Sequence, residues 1–330
     1  MDWDRRVIRA CAAVLICACL LRLSAGGIFR SLLRTLENPG VASFLVYLQT
    51  GRVVRLAGDS PSPTSPETQP PPVEESIPTV SPAPVFTAED LSMVEMNYGC
   101  SYRPDLEALL TQPLGYDLSG SEPSVLILHT HTTESYTPAP GESYEQTSSY
   151  RTLDQRCNML RVGDQVAQAL EQAGIGVIHD RQFHDYPSYT GSYDHAAQSI
   201  CEYLEEYPSI RLVLDLHRDA ADTDYGQMVT QACVNGQQSA QLMIIVGTDA
   251  GGLIHPDWQE NLSLALKLQV LLEKDNPGIC RELKLTYQRY NQNLSPGALL
   301  IEVGAAGNTM DEALVAAQAL SESIIELFPR

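Results

Sequence analysis

The sequence predicts an α/β fold: a single, mostly parallel sheet flanked by helices. Short apolar runs rich in Val, Ile and Leu recur along the chain, and most alternate with longer segments of helical periodicity. Predicted strands cover 124–129, 175–179, 211–216, 283–287 and 298–303, and predicted helices cover 152–173, 193–206, 257–274 and 310–327. Such alternation is typical of strand–helix–strand units, whose strands run parallel in one sheet.

One antiparallel feature is expected beside this sheet. The β-rich runs 228–234 and 241–246 are joined through Asn235-Gly236, a dipeptide that favours the tight turn of a hairpin. We therefore predict a hairpin as an antiparallel addition to the parallel sheet.

Residues 1–34 are typical of a membrane anchor. Residues 10–21 are all Ala, Cys, Val, Ile or Leu, and three arginines precede them. If Arg9 and Arg22 extend toward the lipid headgroups, the apolar length approaches the roughly 20 residues that span a bilayer. The basic flank predicts a cytoplasmic N-terminus and an extracytoplasmic remainder. Small residues at 24–27 also suit a cleaved signal peptide, so retention of the anchor stays open.

Two segments separate the anchor from the main domain. Residues 35–59 form a juxtamembrane segment with a modest apolar patch. Residues 60–88 form a linker whose Pro, Ser, Thr and Glu cannot bury enough apolar area to fold. From 89 to 330 the apolar pattern becomes periodic, which predicts one folded domain.

The charge distribution argues against one class of partner. The chain carries a formal net charge of −20. Residues 1–34 contain six arginines and two aspartates, a net of +4, so the remainder carries −24. Nucleic-acid binding depends on Lys and Arg that neutralise phosphates. We therefore expect no nucleic-acid partner.

Polar side chains follow three of the predicted strands. His129 and His131 come directly after the apolar run 125–128, and His217 and Glu302 close two later runs. Open α/β sheets place their functional groups in the crevice beyond the carboxyl ends of the strands. The sequence therefore predicts a functional site at that edge.

The residue types at these strand ends favour a catalytic zinc site. His131 and Glu134 have an H-x-x-E spacing, which brings an imidazole and a carboxylate to one side of a tight turn. Catalytic Zn²⁺ usually has three protein ligands and an open position for water. We predict His131, Glu134 and His217 as ligands and Glu302 as the general base for that water. Each histidine alone is also explained as a hydrogen-bonded loop residue, but three coincident strand ends favour the metal.

Several ordered motifs resemble the stage II sporulation protein P family. They read HTHTTESY at 129–136, HDYPSYTGSY at 184–193, LDLHRDA at 214–220 and YNQNLSPGALLIEVGAAGNTMDEA at 290–313. The upstream ASFLVYLQTGRVV at 42–54 is similar to the juxtamembrane segment of that family. The resemblance thus covers the chain nearly end to end.

The resemblance implies a membrane-anchored peptidoglycan hydrolase of endospore formers. Members are described as N-acetylmuramoyl-L-alanine amidases with an additional endopeptidase activity, acting in forespore engulfment with stage II sporulation proteins D and M. It further implies a zinc-amidase-like fold, a Zn²⁺ cofactor and a catalytic domain facing the wall from the cell membrane, in the septal space. Two alternatives stay open: a metallo-carboxypeptidase or endopeptidase without amidase activity, and a non-catalytic scaffold that binds the wall.

The resemblance also implies site residues. The histidine motifs of the family fall on His131 and His217, and its late strand-end acid falls on Glu302. Glu134 is preferred as the third ligand for its fixed spacing, and the alternatives are His129, Glu142 and Glu145. Roles in orienting the site or binding substrate are expected for His129, Arg151, Arg218, Asp219 and Gln292, with Tyr189, Tyr193 and Tyr290 as groove residues.

Overall fold

The structure, a computed structural model, describes residues 83–223 and 226–329. The predicted anchor at 1–34, the juxtamembrane segment at 35–59 and most of the linker at 60–88 lie outside the described residues. Within the described ranges, none of the helices combines the length and apolar character needed to cross a bilayer.

The described chain alternates strands and helices. In order, the elements are β1 (Met96–Tyr98), α1 (Leu106–Thr111), β2 (Val125–Leu128), α2 (Met159–Gln172), β3 (Val177–His179), α3 (Ser192–Glu206), β4 (Leu212–Asp219), β5 (Asp222–Thr223), β6 (Gly226–Gln227), β7 (Ala232–Val234), β8 (Gln237–Ser239), β9 (Leu242–Gly247), α4 (Trp258–Asp275), β10 (Leu283–Thr286), β11 (Ala298–Ala305) and α5 (Met310–Leu327). Two short 3₁₀ helices cover Ala88–Met93 and Gln292–Leu294.

Seven strands form the central sheet, in the order β1-β10-β9-β11-β4-β2-β3. Neighbouring strands are parallel except for β9 and β11, which pair antiparallel. The predicted mostly parallel α/β sheet is therefore confirmed. Because β11, β4 and β2 are adjacent and parallel, their carboxyl ends meet at one edge.

The sheet separates two helical layers of unequal size. Along β2, Val125 and Ile127 enter the larger core, whereas Leu126 and Leu128 enter the smaller one, as strand alternation requires. Residues of α1, α2, α4 and α5 pack in the larger core, and α3 packs in the smaller. At the edge formed by the carboxyl ends of β11, β4 and β2, side chains on the smaller-core face therefore point toward α3.

Local sequence signals explain where two of the helices begin. At α5, Thr309 Oγ1 accepts from Glu312 N, and Glu312 Oε2 accepts from Thr309 N, so a capping box starts the helix where the sequence predicts it. The helix predicted from 152 instead begins at Met159, because Asn158 caps α2 by accepting from the backbone N–H of Leu160.

The hairpin prediction is correct in its turn and wrong in its second strand. Asn235 and Gly236 adopt positive φ of 50° and 79° and connect β7 to β8. The run predicted as the partner strand is β9, which lies in the main sheet between β10 and β11. Its residues are all buried, a pattern typical of a central strand rather than a two-faced hairpin strand. The short elements β1 and α1 were not predicted.

Candidate active site

Two buried aspartates fix the loop that follows β2. Asp215 on β4 accepts from Thr130 N at 2.8 Å and from Thr130 Oγ1 at 2.6 Å. Asp185 accepts from Thr133 N at 3.1 Å and from Thr133 Oγ1 at 2.5 Å. Because the loop is anchored at both backbone and side chain, His131 is held between these contacts and Glu134 is held directly after them.

The structure brings His131, Glu134 and His217 together. The imidazole centroids of His131 and His217 lie 5.3 Å apart with the rings nearly perpendicular. His217 Nδ1 lies 3.5 Å from Glu134 Oε2. All three side chains are buried. The strands also account for their direction: Leu214 and Leu216 enter the larger core, so His217 faces the α3 side of the sheet.

Two carboxylates surround the imidazole of His217. Asp215 Oδ1 lies 2.9 Å from His217 Nε2, an ion-pair distance, although that nitrogen lacks a partner in hydrogen-bonding geometry. Burial alone lowers the pKa of His217, but Asp215 and Glu134 outweigh it and raise the pKa well above its ordinary value. Burial also raises the pKa of Asp215, but His217 and Thr130 outweigh burial and hold this pKa below its ordinary value.

Two arginines contact the carboxylate of Glu134. Arg218 donates its backbone N–H to Glu134 Oε2 at 3.3 Å, and its Nη1 lies 3.5 Å from Oε1. Arg151 donates from Nη2 to Oε1 at 3.2 Å. Burial alone raises the pKa of Glu134, but Arg218 and His217 hold it well below its ordinary value.

Glu302 stands beside His217 in the neighbouring strand. The two residues are register partners of β11 and β4, and the register shifts just after Glu302. A bulge of this kind redirects side chains near active sites. Gly304 makes the bulge feasible, since it has φ of 71° and an added Cβ would overlap Ala240 and crowd Asn308. Burial raises the pKa of Glu302 to about 8, and its Oε2 is buried without a hydrogen-bond partner.

Side chains from α3 and the preceding loop cover His131. The Tyr189 ring stacks on the imidazole at 4.7 Å, and its hydroxyl lies 3.2 Å from Nε2. Ser192 Oγ lies 3.4 Å from Nδ1, and the Tyr193 ring meets the imidazole edge-on at 5.5 Å. Burial lowers the pKa of His131 to about 4. Tyr189 itself is more than half exposed, so it borders an open approach to the site.

The alternative third ligands lie in other environments. Both ring nitrogens of His129 are engaged, Nδ1 with Leu216 O and Nε2 with His179 Nε2, each at 2.9 Å. Glu142 and Glu145 are exposed in the loop that follows. Among the four candidates, Glu134 is the carboxylate in contact with His217.

The other residues expected at the site divide into two groups. Arg151 and Arg218 do reach it, but as partners of Glu134, and Arg218 also donates to Ser135 O and Tyr150 O. Asp219 points elsewhere, with Oδ2 accepting from Arg281 Nη1 at 2.7 Å. Gln292 is buried and bridges the backbone of Gly247 and Ile245, so it supports β9 rather than a groove.

Sequence reasoning missed Asp215, Asp185 and Ser192. Strand alternation offered a signal for Asp215, since it lies two residues before His217 on the same face of β4. Asp185 and Ser192 lie in the HDYPSYTGSY motif, but no spacing relates them to Thr133 or His131. Their placement depends on how the loop between β3 and α3 returns across the edge of the sheet.

Donor types at this edge fit a zinc ion. Two imidazoles and a carboxylate lie in contact, and the buried atoms His217 Nε2 and Glu302 Oε2 have no hydrogen-bond partner among the described residues. Buried polar atoms without partners are rare and require an explanation such as a bound ion or a catalytic role. The residue types therefore suit zinc, but their side chains are not arranged around a common point. Among the described residues, no group of three or more His, Cys, Asp or Glu is arranged to hold a metal ion.

The fold and the site together define an α/β protein with a buried histidine–carboxylate centre at the carboxyl edge of its sheet. The model of the stage II sporulation protein P family matches residues 65–325, and the chain belongs to that family. Stage II sporulation protein P of Bacillus subtilis (strain 168) is 29% identical over 222 residues, which cover 64% of this chain. The match spans about half of that relative, 52% of its length.

Two solved structures are also similar. The N-acetylmuramoyl-L-alanine amidase AmiC2 of Nostoc punctiforme is 13% identical, with a TM-score of 0.39 over 62% of this chain and 97% of that one. The CwlD amidase of Clostridioides difficile, solved with the GerS lipoprotein, is 13% identical, with a TM-score of 0.36 over 62% and 95%. Scores at this level do not establish a common fold, so the fold class rests on the sheet and helices described above.

Proposed function

We propose that this protein is a zinc-dependent peptidoglycan hydrolase that cleaves the N-acetylmuramoyl-L-alanine amide bond during forespore engulfment. Membership of the stage II sporulation protein P family supports the sporulation role. The observation that carries the chemistry is the convergence of His131, Glu134, His217 and Glu302 at one edge of the sheet.

In this proposal His131, Glu134 and His217 hold Zn²⁺. The ion supplies a Lewis acid for the amide carbonyl and lowers the pKa of a bound water. Arg151 and Arg218 keep the Glu134 carboxylate charged and oriented as a ligand. Asp215 Oδ1 lies 2.9 Å from His217 Nε2, and its negative charge favours a cation beside this imidazole.

Glu302 carries the proton in the reaction. Oε2 of its carboxylate accepts a proton from the attacking water. The same carboxyl group then delivers this proton to the nitrogen of the departing alanine amine. The pKa of about 8 suits this exchange, because a group that titrates near the working pH both accepts and releases a proton. Tyr189 and Tyr193 shield the imidazole of His131 from water while this happens.

Two experiments test this function. The metal content of the purified protein is expected to be about one zinc per chain, removable by a chelator together with activity. A digest of purified cross-linked peptidoglycan is then expected to release intact stem peptides, with a smaller yield of peptides cut between stems. Only shortened peptides would instead indicate an endopeptidase or carboxypeptidase, and wall binding without any product would indicate a scaffold.

The cellular setting belongs to the same proposal. A membrane anchor at 1–34 with an extracytoplasmic catalytic domain follows from the arginine asymmetry of the sequence. An external protease added to spheroplasts should cut within residues 60–84 and release the soluble domain. Protection of this linker until lysis would reverse the orientation. Association with stage II sporulation proteins D and M is testable by co-purification from sporulating cells.

A further inference from the structure

A cavity adjoins the candidate active site. It has a volume of about 390 Å³, and its lining includes Tyr193, Leu253, Tyr287, Arg289, Tyr290 and Asn291. Tyr193 belongs to both regions, since its ring meets His131 at 5.5 Å and Tyr290 at 5.8 Å. A substrate bound at the histidines therefore has direct access to this cavity on the Tyr193 side.

Two chain segments are forced together to build the cavity. An added Cβ at Gly247 would collide with the backbone of Gln288 and Arg289, and one at Gly251 would lie 2.6 Å from Tyr287 O. The two glycines thus allow the loop after β9 to cross closely over residues 287–289. The cavity is a constructed feature of the fold rather than a gap between loose loops.

The backbone on the inner wall is held in an uncommon conformation. Tyr290 and Asn291 both have positive φ, 49° and 59°, which costs free energy for residues with a side chain. Asn291 Nδ2 donates to Tyr193 O at 2.8 Å and ties this turn to α3. Strained residues that the surroundings hold in place cluster at ligand sites, and here they aim the Tyr290 ring at Tyr193.

Arg289 gives the cavity its chemical character. Its Nη1 donates to Ile254 O at 3.1 Å, and it forms no ion pair with a carboxylate among the described residues. Arg151 and Arg218, the other arginines near the site, are both paired with Glu134. In a chain of net charge −20, a half-buried arginine without a carboxylate partner is a specific attraction for an anionic ligand.

The remaining walls are apolar. Leu253 and Tyr287 are 57% and 54% exposed, so their apolar surfaces face the opening of the cavity rather than the core. Stem peptides of peptidoglycan combine carboxylates with the methyl groups of alanine, whereas the glycan rings are polar and bind without needing a cation. The combination of one guanidinium with apolar walls therefore favours the peptide over the sugar.

We propose that this cavity binds the stem peptide of the substrate, with a peptide carboxylate on Arg289 and small apolar side chains against Leu253 and Tyr287. This inference rests on the proposed function and adds the orientation of the substrate relative to the histidine centre. The scissile amide occupies the histidine centre, the stem peptide extends past Tyr193 toward Arg289, and the glycan strand leaves on the side of Tyr189.

The test uses two synthetic N-acetylmuramoyl peptides that differ in charge alone. One has its peptide carboxylates free, and in the other each is converted to a primary amide. With the purified full-length protein, KM for the acid form should be about tenfold lower than for the amide form, with similar kcat. Arg289→Gln should remove this difference, and Arg289→Lys should restore part of it.

Arg211→Gln is the matched control. Arg211 lies at the opposite edge of the sheet, donates from Nη1 to a single carbonyl, Pro208 O, at 3.0 Å, and forms no ion pair with a described carboxylate. Its substitution should leave the preference for the acid form unchanged. Equal KM values for the two forms in the unmutated protein, or an undiminished preference in Arg289→Gln, would overturn the inference.

A binding measurement separates this inference from the proposed function. Calorimetric titration of the acid form into the Glu302→Gln variant should give binding that weakens about tenfold when Arg289→Gln is added. If the unmutated protein hydrolyses neither peptide, the proposed function fails, while Arg289-dependent binding still supports the peptide site. Displacement of the acid form by peptide-free glycan strands as effective as the peptide itself would assign the cavity to the glycan and overturn the inference.

Discussion

Two pairs of histidines at the carboxyl edge of the sheet differ in how completely their ring nitrogens are bonded. In the first pair, His129 Nδ1 must donate to Leu216 O, because a carbonyl only accepts. His129 Nε2 therefore accepts from His179 Nε2 at 2.9 Å. His179 Nδ1 then lies 3.1 Å from Asp164 and 3.4 Å from Arg181 Nη1, which donates to it. Every nitrogen of His129 and His179, which we call the closed pair, has a partner.

The second pair is His131 and His217, and its bonding is incomplete. Within the part of the chain that the structure describes, the nitrogens of His131 meet only the hydroxyls of Tyr189 and Ser192, at 3.2 and 3.4 Å. No described residue partners His217 Nε2 in hydrogen-bonding geometry, although this nitrogen is buried. Residue type, burial and position in the fold are alike in the two pairs. What distinguishes them is unused bonding capacity, which indicates structural support in the first pair and ligand binding in the second.

The sharpest test of this comparison replaces one histidine from each pair. His217→Ala should lose bound zinc and reduce hydrolysis to background, because two remaining ligands hold a catalytic ion poorly. His179→Ala should retain zinc and activity within about tenfold, with a loss of about 1–3 kcal/mol in stability from the unpaired His129 nitrogen. Metal analysis, rates and chemical denaturation measure all three. Stoichiometric zinc in His217→Ala, or its loss in His179→Ala, would exchange the roles of the pairs.

The second test separates metal binding from proton transfer at the carboxylates beside His131 and His217. Glu302→Gln keeps the size of the side chain but cannot accept a proton, so turnover should fall by roughly 10²- to 10⁴-fold while zinc remains bound. Glu134→Gln gives the contrast, since an amide is a poor zinc ligand and occupancy should fall with activity. Metal loss from Glu302→Gln together with activity in Glu134→Gln would exchange these two assignments.

The sequence predicted the elements and the members of the site more accurately than their contacts. Apolar runs such as 125–128 fix a buried strand by themselves, and the residue that follows such a run must lie at the edge of the sheet. This is why His131, His217 and Glu302 were found together. The partners of each ring nitrogen were not predictable, because they come from strands and loops 50 to 87 residues away along the chain.

The placement of His129 shows the same limit. Strand alternation suggests that His129 and His131 share a face, yet β2 ends at Leu128 and the chain turns before His131. Alternation holds only within a strand, so it could not place a residue in the loop. Which imidazole joins the closed pair depends on the distant residue His179.

A third test probes the closed pair through the helix that packs on it. Gly163 of α2 faces both rings, and an added Cβ would overlap His179 Nε2 and lie 2.5 Å from His129 Nε2. Ala is the better helix former by up to about 1 kcal/mol, but overpacking costs about 1–3 kcal/mol and these rings have no free space. Gly163→Ala should therefore lower the free energy of unfolding by about 1–2 kcal/mol.

Gly115→Ala serves as the control for that substitution. Nothing lies within 4 Å of a Cβ added at Gly115, and its φ is not in the left-handed region. Its stability in urea should match the unmutated protein. If Gly163→Ala leaves the free energy of unfolding unchanged, His129 and His179 are loosely packed. The interpretation of this pair as structural support would then be wrong.

The last test concerns a buried lysine far from either pair of histidines, whose hydrogen bonds do not fully offset the cost of burying its charge. Lys267 of α4 is buried, and its Nζ donates to Leu109 O and Ser263 Oγ, each at 2.8 Å. Burial lowers its pKa to about 8, below the unfolded value of about 10.4. Between these values the unfolded chain binds more protons, so stability rises with pH through this window and the penalty is fully present below pH 8.

Lys267→Met removes the charge and keeps the length of the side chain. The variant should gain stability relative to the unmutated protein at pH 7, and this advantage should shrink by up to about 2–3 kcal/mol by pH 10.5. Tyrosines that titrate in the same range are common to both proteins and cancel in the difference. Urea denaturation at both pH values measures it. If the stability difference between the two proteins does not change with pH, hydrogen bonds alone compensate the buried charge of Lys267. Complete hydrogen bonding would then no longer distinguish a structural group from a functional one.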